Sequence, residues 1–135
     1  MGKLIALDYG KKRTGIAVTD DLQIIASGLT TVETPSLFSF LEKYFNENQV
    51  DAIILGEPKR LDGTDTHSSE DVRKLKEKLG TTFARPVFMV DERFTSKMAF
   101  QTMIDSGLKK KRRQNKALVD EISATIILQS FLETK

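Results

Sequence analysis

Residues 3–10 read Lys-Leu-Ile-Ala-Leu-Asp-Tyr-Gly, and residues 14–20 follow as Thr-Gly-Ile-Ala-Val-Thr-Asp. The unbroken apolar run in the first stretch is typical of a strand in the centre of a sheet. Asp8 comes directly after that run, so we expect its carboxylate where the strand leaves the core. Because a basic turn follows, the carboxylate suits a metal ion that binds phosphate, although Asp is equally common at the start of a turn. Both interpretations stay open on this stretch alone.

The composition is that of one ordinary globular domain, which we expect to span residues 1–135. No apolar run approaches the roughly 20 residues needed to cross a bilayer, so we expect no membrane partner. The chain goes straight into a strand, and we expect no signal peptide. The absence of Cys excludes disulfides and thiolate metal sites and agrees with a cytoplasmic protein. With His67 as its only histidine, the chain lacks the pair that a two-histidine metal motif requires.

Basic residues are concentrated in residues 109–116, which read Lys-Lys-Lys-Arg-Arg-Gln-Asn-Lys and which we call the basic octet. The octet holds six of the 21 basic residues and no acid, so the rest of the chain has 15 basic and 19 acidic residues, a net charge of −4. This distribution favours a polyanionic partner, which we expect to be nucleic acid. The alternative is a solvated loop that keeps the protein soluble. The expected phosphate contacts are Lys109, Lys110, Lys111, Arg112 and Arg113.

Turn residues and hydrophobic periodicity divide the chain into five strands and four helices. The predicted strands cover residues 3–8, 14–20, 24–32, 52–55 and 87–90. The predicted helices cover residues 35–48, 69–79, 95–106 and 117–132. Thr34 is expected to cap the first helix, and Gly80 is expected to end the second. Residues 59–69 lack periodicity and are predicted to form a loop.

This order of elements predicts an α/β fold built on a five-stranded mixed sheet. Short turns make the first three strands an antiparallel meander, and right-handed helical crossovers place strands four and five beyond strand one. The expected strand order is therefore 3-2-1-4-5, with helices on both faces. Strands one, four and five are parallel in this arrangement, so their carboxyl ends lie along the edge where open α/β sheets bind ligands.

Acidic residues follow each of these three parallel strands. They are Asp8, Glu57 and the pair Asp91-Glu92, and a further acid, Asp120, lies near the start of the last helix. Clustered carboxylates repel one another unless a cation neutralises them, and oxygen-only ligands indicate Mg²⁺ or Mn²⁺. Two such ions about 3.5–4 Å apart activate a water and stabilise the leaving oxygen of a phosphodiester. With the basic octet just before the last acid, the pattern favours a metal-dependent nuclease.

Each acid also has a purely structural explanation. Glu57 is compatible with a solvated strand end, and Asp91 is compatible with a turn cap that holds Arg93. The helix dipole favours Asp120 near a helix N-terminus without any metal. One acid alone therefore does not indicate a metal site, whereas four at one predicted edge do.

Four motifs resemble those of the YqgF (RuvX) family, in the same order and over nearly the whole chain. They are residues 8–10 with 13–20, residues 56–58 with 62–64, residues 91–96, and residues 119–124 with 127–129. Their sequences are Asp-Tyr-Gly with Arg-Thr-Gly-Ile-Ala-Val-Thr-Asp, Gly-Glu-Pro with Asp-Gly-Thr, Asp-Glu-Arg-Phe-Thr-Ser, and Val-Asp-Glu-Ile-Ser-Ala with Ile-Leu-Gln. The combination is specific, although each motif alone is not.

The resemblance implies an RNase H-like fold related to RuvC-type Holliday junction resolvases. It also implies a bacterial cytoplasmic nuclease linked to maturation of the 5′ end of pre-16S rRNA. The metal-binding acids of the family correspond here to Asp8, Glu92 and Asp120. The family usually has an aliphatic residue where this chain has Glu57, so Glu57 either joins the site or only stands beside it. We favour Glu92 as the second ligand.

Basic residues beside the acids complete the candidate site. Arg13 and Arg93 are expected to hold the scissile phosphate or its neighbour, unless they only form local ion pairs. His67 lies in a polar loop and is expected to be solvent-exposed rather than catalytic.

Three functions compete on this sequence. The first is an endonuclease on structured RNA, with precursor rRNA as the expected substrate. The second is a Holliday junction resolvase, which requires a dimer because two nicks must be placed symmetrically. The third is a non-catalytic nucleic-acid-binding factor, against which the full set of acids argues. RNA and DNA substrates are not separated, since acidic metal sites cut both, and we expect a monomer or a weak homodimer.

Overall fold

The computed structural model of the protein describes residues 2–57, 69–91 and 116–134. The described strands form one sheet, and they are β1 (Lys3–Tyr9), β2 (Arg13–Thr19), β3 (Ala26–Glu33), β4 (Val50–Glu57) and β5 (Val87–Asp91). Their order is β3-β2-β1-β4-β5, which places β1 in the centre. β1 is antiparallel to β2 and parallel to β4, and β4 is parallel to β5. The predicted mixed sheet and its strand order are confirmed.

Both faces of the sheet are covered by helices, as predicted. The helices in the described ranges are α1 (Leu37–Glu47), α2 (Ser69–Phe83) and α3 (Lys116–Thr134). Successive side chains of a strand point to opposite faces. On β1, Ile5 and Leu7 pack with residues of α1 and α2, while Leu4 and Ala6 pack with residues of α3. The apolar run of β1 is continuous because both of its faces are buried.

The turn between β2 and β3 is longer than predicted because an acid organises it. The Asp20 carboxylate accepts hydrogen bonds from the backbone N–H groups of Ile24 and Ile25, at 2.8 and 3.0 Å. The bond from Ile25, and then that from Ile24, lowers the pKa of Asp20 below its ordinary value. Gln23 adopts a left-handed backbone inside this turn, with φ of 57°. The strand predicted from residue 24 therefore begins at Ala26.

α1 begins two residues later than predicted, and Thr34 does not cap it. A short 3-10 helix, Thr34–Ser36, precedes α1, and neither helix has a side-chain hydrogen bond at its cap. The Thr34 hydroxyl donates instead to the carbonyl of Gly10, and its oxygen lies 3.0 Å from the Thr14 hydroxyl. The predicted cap was wrong because distant partners beside the β1–β2 turn engage this hydroxyl.

α2 continues through Gly80 and ends at Phe83, so the predicted end at Gly80 was wrong. The Phe83 ring packs against Phe38 and Phe45 of α1, with ring centroids 5.6 and 4.9 Å apart. Such aromatic pairs are each worth about 0.5–1.5 kcal/mol, which offsets the roughly 1 kcal/mol cost of glycine inside a helix. The left-handed residue after the helix is Ala84, with φ of 54°.

α3 matches the predicted helix 117–132 to within two residues at either end. Lys116, the last residue of the basic octet, is helical. The other octet residues, the predicted helix 95–106 and residues 59–68 of the predicted loop lie outside the described residues. No helix in the described ranges is long and apolar enough to cross a membrane.

Candidate active site

Asp8 lies at the edge of the sheet where the parallel strands end. Leu7 pairs with Leu55 on β4, so the next step of that register places Asp8 beside Gly56. Gly56 in turn pairs with Val90 on β5. Since neighbouring strands lie about 4.8 Å apart, these three positions form one continuous row across the edge. The predicted meeting of the carboxyl ends of β1, β4 and β5 is confirmed.

The Asp8 side chain lies on the face of the sheet that α3 covers. Leu4 and Ala6 belong to the cluster under α3, and Asp8 is the next residue of that alternating series. Asp8 is partly exposed, whereas Leu4 and Ala6 are buried. Its register partner on β2 is Gly15, which places no side chain beside the carboxylate. The central strand therefore holds a carboxylate at the boundary between the core and solvent.

Arg13 lies on the same face as Asp8. It precedes Gly15, the register partner of Asp8, by two residues. Arg13, Gly15 and Ala17 are alternate residues of β2, so they lie on the same face of the sheet. Ala17 belongs to the cluster under α3, which identifies that face. Two residues of a strand span about 7 Å, so the Arg13 backbone lies about that far along β2 from Gly15, the register partner of Asp8.

α3 lies against this face through small and apolar residues. Ser123, Ala124 and Ile127 are 3% exposed or less, because the small side chains of the first two let the helix approach the sheet closely. Asp120 precedes them by three, four and seven residues, and positions at this spacing share one side of a helix. The backbone of Asp120 therefore lies near the start of the helix that covers the Asp8 face of the sheet.

The first turns of α3 approach β3 closely because Gly28 has no side chain. A Cβ atom added to Gly28 would lie 2.5 Å from Glu121 Oε1 and 2.7 Å from Glu121 Cγ. Gly28 pairs with Ala17, another small residue under α3. The sequence reasoning missed this contact, and its one available signal was a glycine inside a strand, which often marks a close approach. Gly28 thus makes room for the residue that follows Asp120.

Several predicted site residues lie outside the described residues and stay predictions. They are Glu92, Arg93, Lys109, Lys110, Lys111, Arg112 and Arg113. Glu57 and Asp91 pair in register across β4 and β5, so their backbones lie at the predicted edge. Among the side chains that the structure describes, no three acids or histidines come close enough to hold a metal ion. The described side chains of the candidate site are those of Asp8 and Arg13.

The sheet order, the two covered faces and an acid at the end of the central strand define an RNase H-like protein. The structure of T. thermophilus RuvC in complex with a Holliday junction substrate superposes on this chain with a TM-score of 0.60. The superposition covers 99% of this chain and 98% of RuvC, at 13% sequence identity. A likeness at so low an identity shows the fold and leaves the activity to be argued from the site.

The chain belongs to the RuvX family. The model of that family, described as a Holliday junction resolvase, matches residues 2–134. A protein of Christiangramia forsetii is 59% identical over 133 residues, which cover 98% of either chain. A protein of Flavobacterium psychrophilum is 56% identical over 136 residues, which cover 100% of this chain and 99% of the relative. Both relatives carry the name "Putative pre-16S rRNA nuclease", and the family that the motifs indicated is confirmed.

Proposed function

We propose that this protein is a metal-dependent endonuclease that hydrolyses phosphodiester bonds in structured RNA, with the 5′ end of pre-16S rRNA as its substrate. The observation that carries the proposal is the position of Asp8, near the carboxyl end of the central strand, beside β4 and on the α3 face. The full-length relatives named as pre-16S rRNA nucleases support this substrate. Such a role places the protein in the cytoplasm, with the ribosome precursors.

Asp8, Glu92 and Asp120 are the residues that would hold Mg²⁺ or Mn²⁺. Their donors are all carboxylate oxygens, which suit these hard cations, and Asp8 and the backbone of Asp120 lie on the same side of the sheet. When bound, the ion supplies charge stabilisation at the scissile phosphate and a more acidic water. Asp8 presents its carboxylate from a fixed strand. Arg13, and with it Arg93, neutralises and orients the phosphate.

Strand alternation argues against Glu57 as the second acid and leaves Glu92 as our choice. Position 57 comes two residues after Leu55 on β4, and residues two apart on a strand share a face. Leu55 packs in the cluster under α1 and α2. Ile54, of the opposite parity, belongs to the cluster under α3, the face on which Asp8 lies. Position 57 therefore belongs to the residues of β4 that alternate toward α1 and α2, on the face opposite Asp8.

A second candidate, resolution of four-way DNA junctions, has one specific observation in its favour. The description of the family model names that activity, although the named relatives are called rRNA nucleases. A resolvase needs a dimer in order to place two symmetric nicks.

The deciding experiment incubates the protein with a pre-16S rRNA fragment and with a four-way DNA junction, each with and without Mg²⁺. Cleavage of the RNA alone, only when Mg²⁺ is present, is the expected result. Symmetric cleavage of the junction by a dimeric protein, with the RNA intact, would replace the proposal by the resolvase. Binding of either substrate without any cleavage would leave the third candidate, a non-catalytic binding factor.

A further inference from the structure

A groove opens on the opposite face of the sheet from Asp8, at the same edge. It has a volume of about 600 Å³ and lies between the end of β1, the start of α1 and the first three turns of α2. Six of its lining residues carry the following inference, and we call the site the lysine groove: Tyr9, Lys11, Thr34, Phe38, Lys74 and Lys78. Tyr9 directly follows Asp8 on β1, so the groove begins one residue from the candidate active site.

Three lysines from two separate elements converge on this groove. Lys11 comes from the β1–β2 turn, and Lys74 and Lys78 are one helical turn apart on α2. Lys74 pairs with Glu70 at 3.4 Å, but both side chains are more than 70% exposed, so the pair is weak and open to exchange. Asp71 is the acid among the lining residues. The groove therefore carries a surplus of positive charge.

Aromatic side chains lie among these lysines. Tyr9 is partly exposed at the end of β1, and Phe38 lines the groove from α1. The Lys78 Nζ atom lies 4.8 Å from the centroid of the Phe38 ring. Basic side chains interleaved with aromatic rings are the pattern of surfaces that bind single-stranded nucleic acid. Because Phe83 and Lys78 already pack on the Phe38 ring, a base would stack on Tyr9, and the lysines would hold the phosphates.

We propose that the lysine groove binds a single-stranded segment of the nucleic-acid substrate next to the cleavage site. The proposal rests on the nuclease function proposed above and adds a second contact surface to it. Asp8 and Tyr9 are consecutive residues of β1, so their side chains lie on opposite faces of the sheet. Lys11 lies in the β1–β2 turn that follows them, at the edge where the two faces meet. A strand whose scissile phosphate is at Asp8 passes over this turn into the groove.

The test compares two variants that lose the same charge. The groove variant carries Lys11→Gln and Lys78→Gln. The control variant carries Lys43→Gln and Lys76→Gln, which change exposed lysines that do not line the groove. Thermal unfolding first establishes that both variants are folded. Affinity is then measured without divalent metal, at several salt concentrations, for an RNA hairpin with a single-stranded tail and for the same hairpin without it.

For the tailed RNA we expect the log–log salt slope of the groove variant to become shallower by about 0.7 for each lost contact, while the control keeps the wild-type slope. On the tailless hairpin the two variants should bind alike. Equal slopes for the two variants on the tailed RNA would overturn the groove and leave the nuclease proposal standing. An equal loss on both RNAs would show that the groove holds a duplex, against the proposal. If the wild-type protein neither bound nor cleaved any RNA or junction, the proposed function itself would fail, and the groove with it.

Discussion

At the scale of single residues, the proposed function depends most on Asp8, whose side chain is the described carboxylate at the edge of the parallel strands. We predict that Asp8→Asn abolishes cleavage and leaves the fold intact. Removing one charge from a set of acids relieves repulsion in the metal-free protein, so the melting temperature should hold or rise. Cleavage assays and thermal unfolding measure the two effects. Wild-type cleavage by a well-folded Asp8→Asn protein would end the metal hypothesis.

A second prediction at the scale of single residues concerns which acid, Glu92 or Glu57, is the second metal ligand. We predict that Glu92→Gln lowers the cleavage rate more than Glu57→Gln. The reason is that position 57 alternates on β4 with the residues that face α1 and α2, opposite Asp8. The measurement is the cleavage rate of each variant across a Mg²⁺ titration. A dead Glu57→Gln variant beside an active Glu92→Gln variant would assign the site to the acid of β4.

Asp20 predicts a pH dependence of stability. Its pKa is lowered in the folded protein by the N–H groups of Ile25 and Ile24, so the charged form stabilises the fold at neutral pH. This contribution is lost as the pH falls through 3.8, the ordinary value, and then through the lower folded value. Asp20→Asn keeps an acceptor oxygen and loses only the charge. Its melting temperature should therefore lie below that of the wild type at neutral pH and converge with it in acid.

The matched control is Asp20→Ala, which removes the acceptor as well as the charge. Its melting temperature should stay below that of the wild type even in acid, because a protonated carboxyl group still accepts from the two N–H groups. If the gap between wild type and Asp20→Asn were as wide in acid as at neutral pH, the charge would not stabilise the turn.

At the scale of elements, β3 and α3 approach each other closely because Gly28 has no side chain. Gly28→Ala places a methyl group against Glu121, and overpacking of this kind costs about 1–3 kcal/mol of unfolding free energy. We expect the lower end of that range, because the Glu121 side chain is able to move. The strain that the Glu121 side chain does not relieve falls on the turn of α3 that contains Asp120, so cleavage should fall as well.

A double-mutant cycle isolates this contact. Glu121→Ala removes the atoms that the new methyl group would meet, so Gly28→Ala should cost less in that background, with a coupling above about 0.5 kcal/mol. Ser27→Ala is the control, because Ser27 is exposed on the neighbouring position of β3. Additive losses in the double variant would show that Gly28 and Glu121 do not constrain each other.

At the scale of the whole molecule, charge is divided between a mildly acidic body and the basic octet. We predict that replacing the five basic residues 109–113 by Ser weakens nucleic-acid binding and makes the log–log salt slope shallower. The expected change is about 0.9 per lost contact on a duplex and about 0.7 on a single strand. Turnover at saturating substrate should change much less, because the acids remain. An unchanged slope would show that the octet is a solubilising segment and would leave binding to the lysine groove and Arg13.

The ends of elements show where sequence reasoning failed. Thr34 has the chemistry of a helix cap and Gly80 that of a helix stop, yet neither acts in that way. The Thr34 hydroxyl bonds to Gly10, 24 residues away, and Phe83 extends α2 by packing on α1. Local propensities of about 1 kcal/mol were outweighed by partners that are distant in the sequence.

The sequence by itself determined the sheet order, the edge at which Asp8 lies and the family of the protein. An apolar run buried on both faces, short turns and right-handed crossovers allow few other arrangements, and these features are local or general. Only the tertiary structure decided which residues share a face with Asp8. A one-residue slip between β1 and β2 would send Arg13 to the other side, and only the observed pairing of Asp8 with Gly15 excludes that slip. The same holds for Gly28 and for the lysine groove, because close approaches and surface grooves arise where separate elements meet.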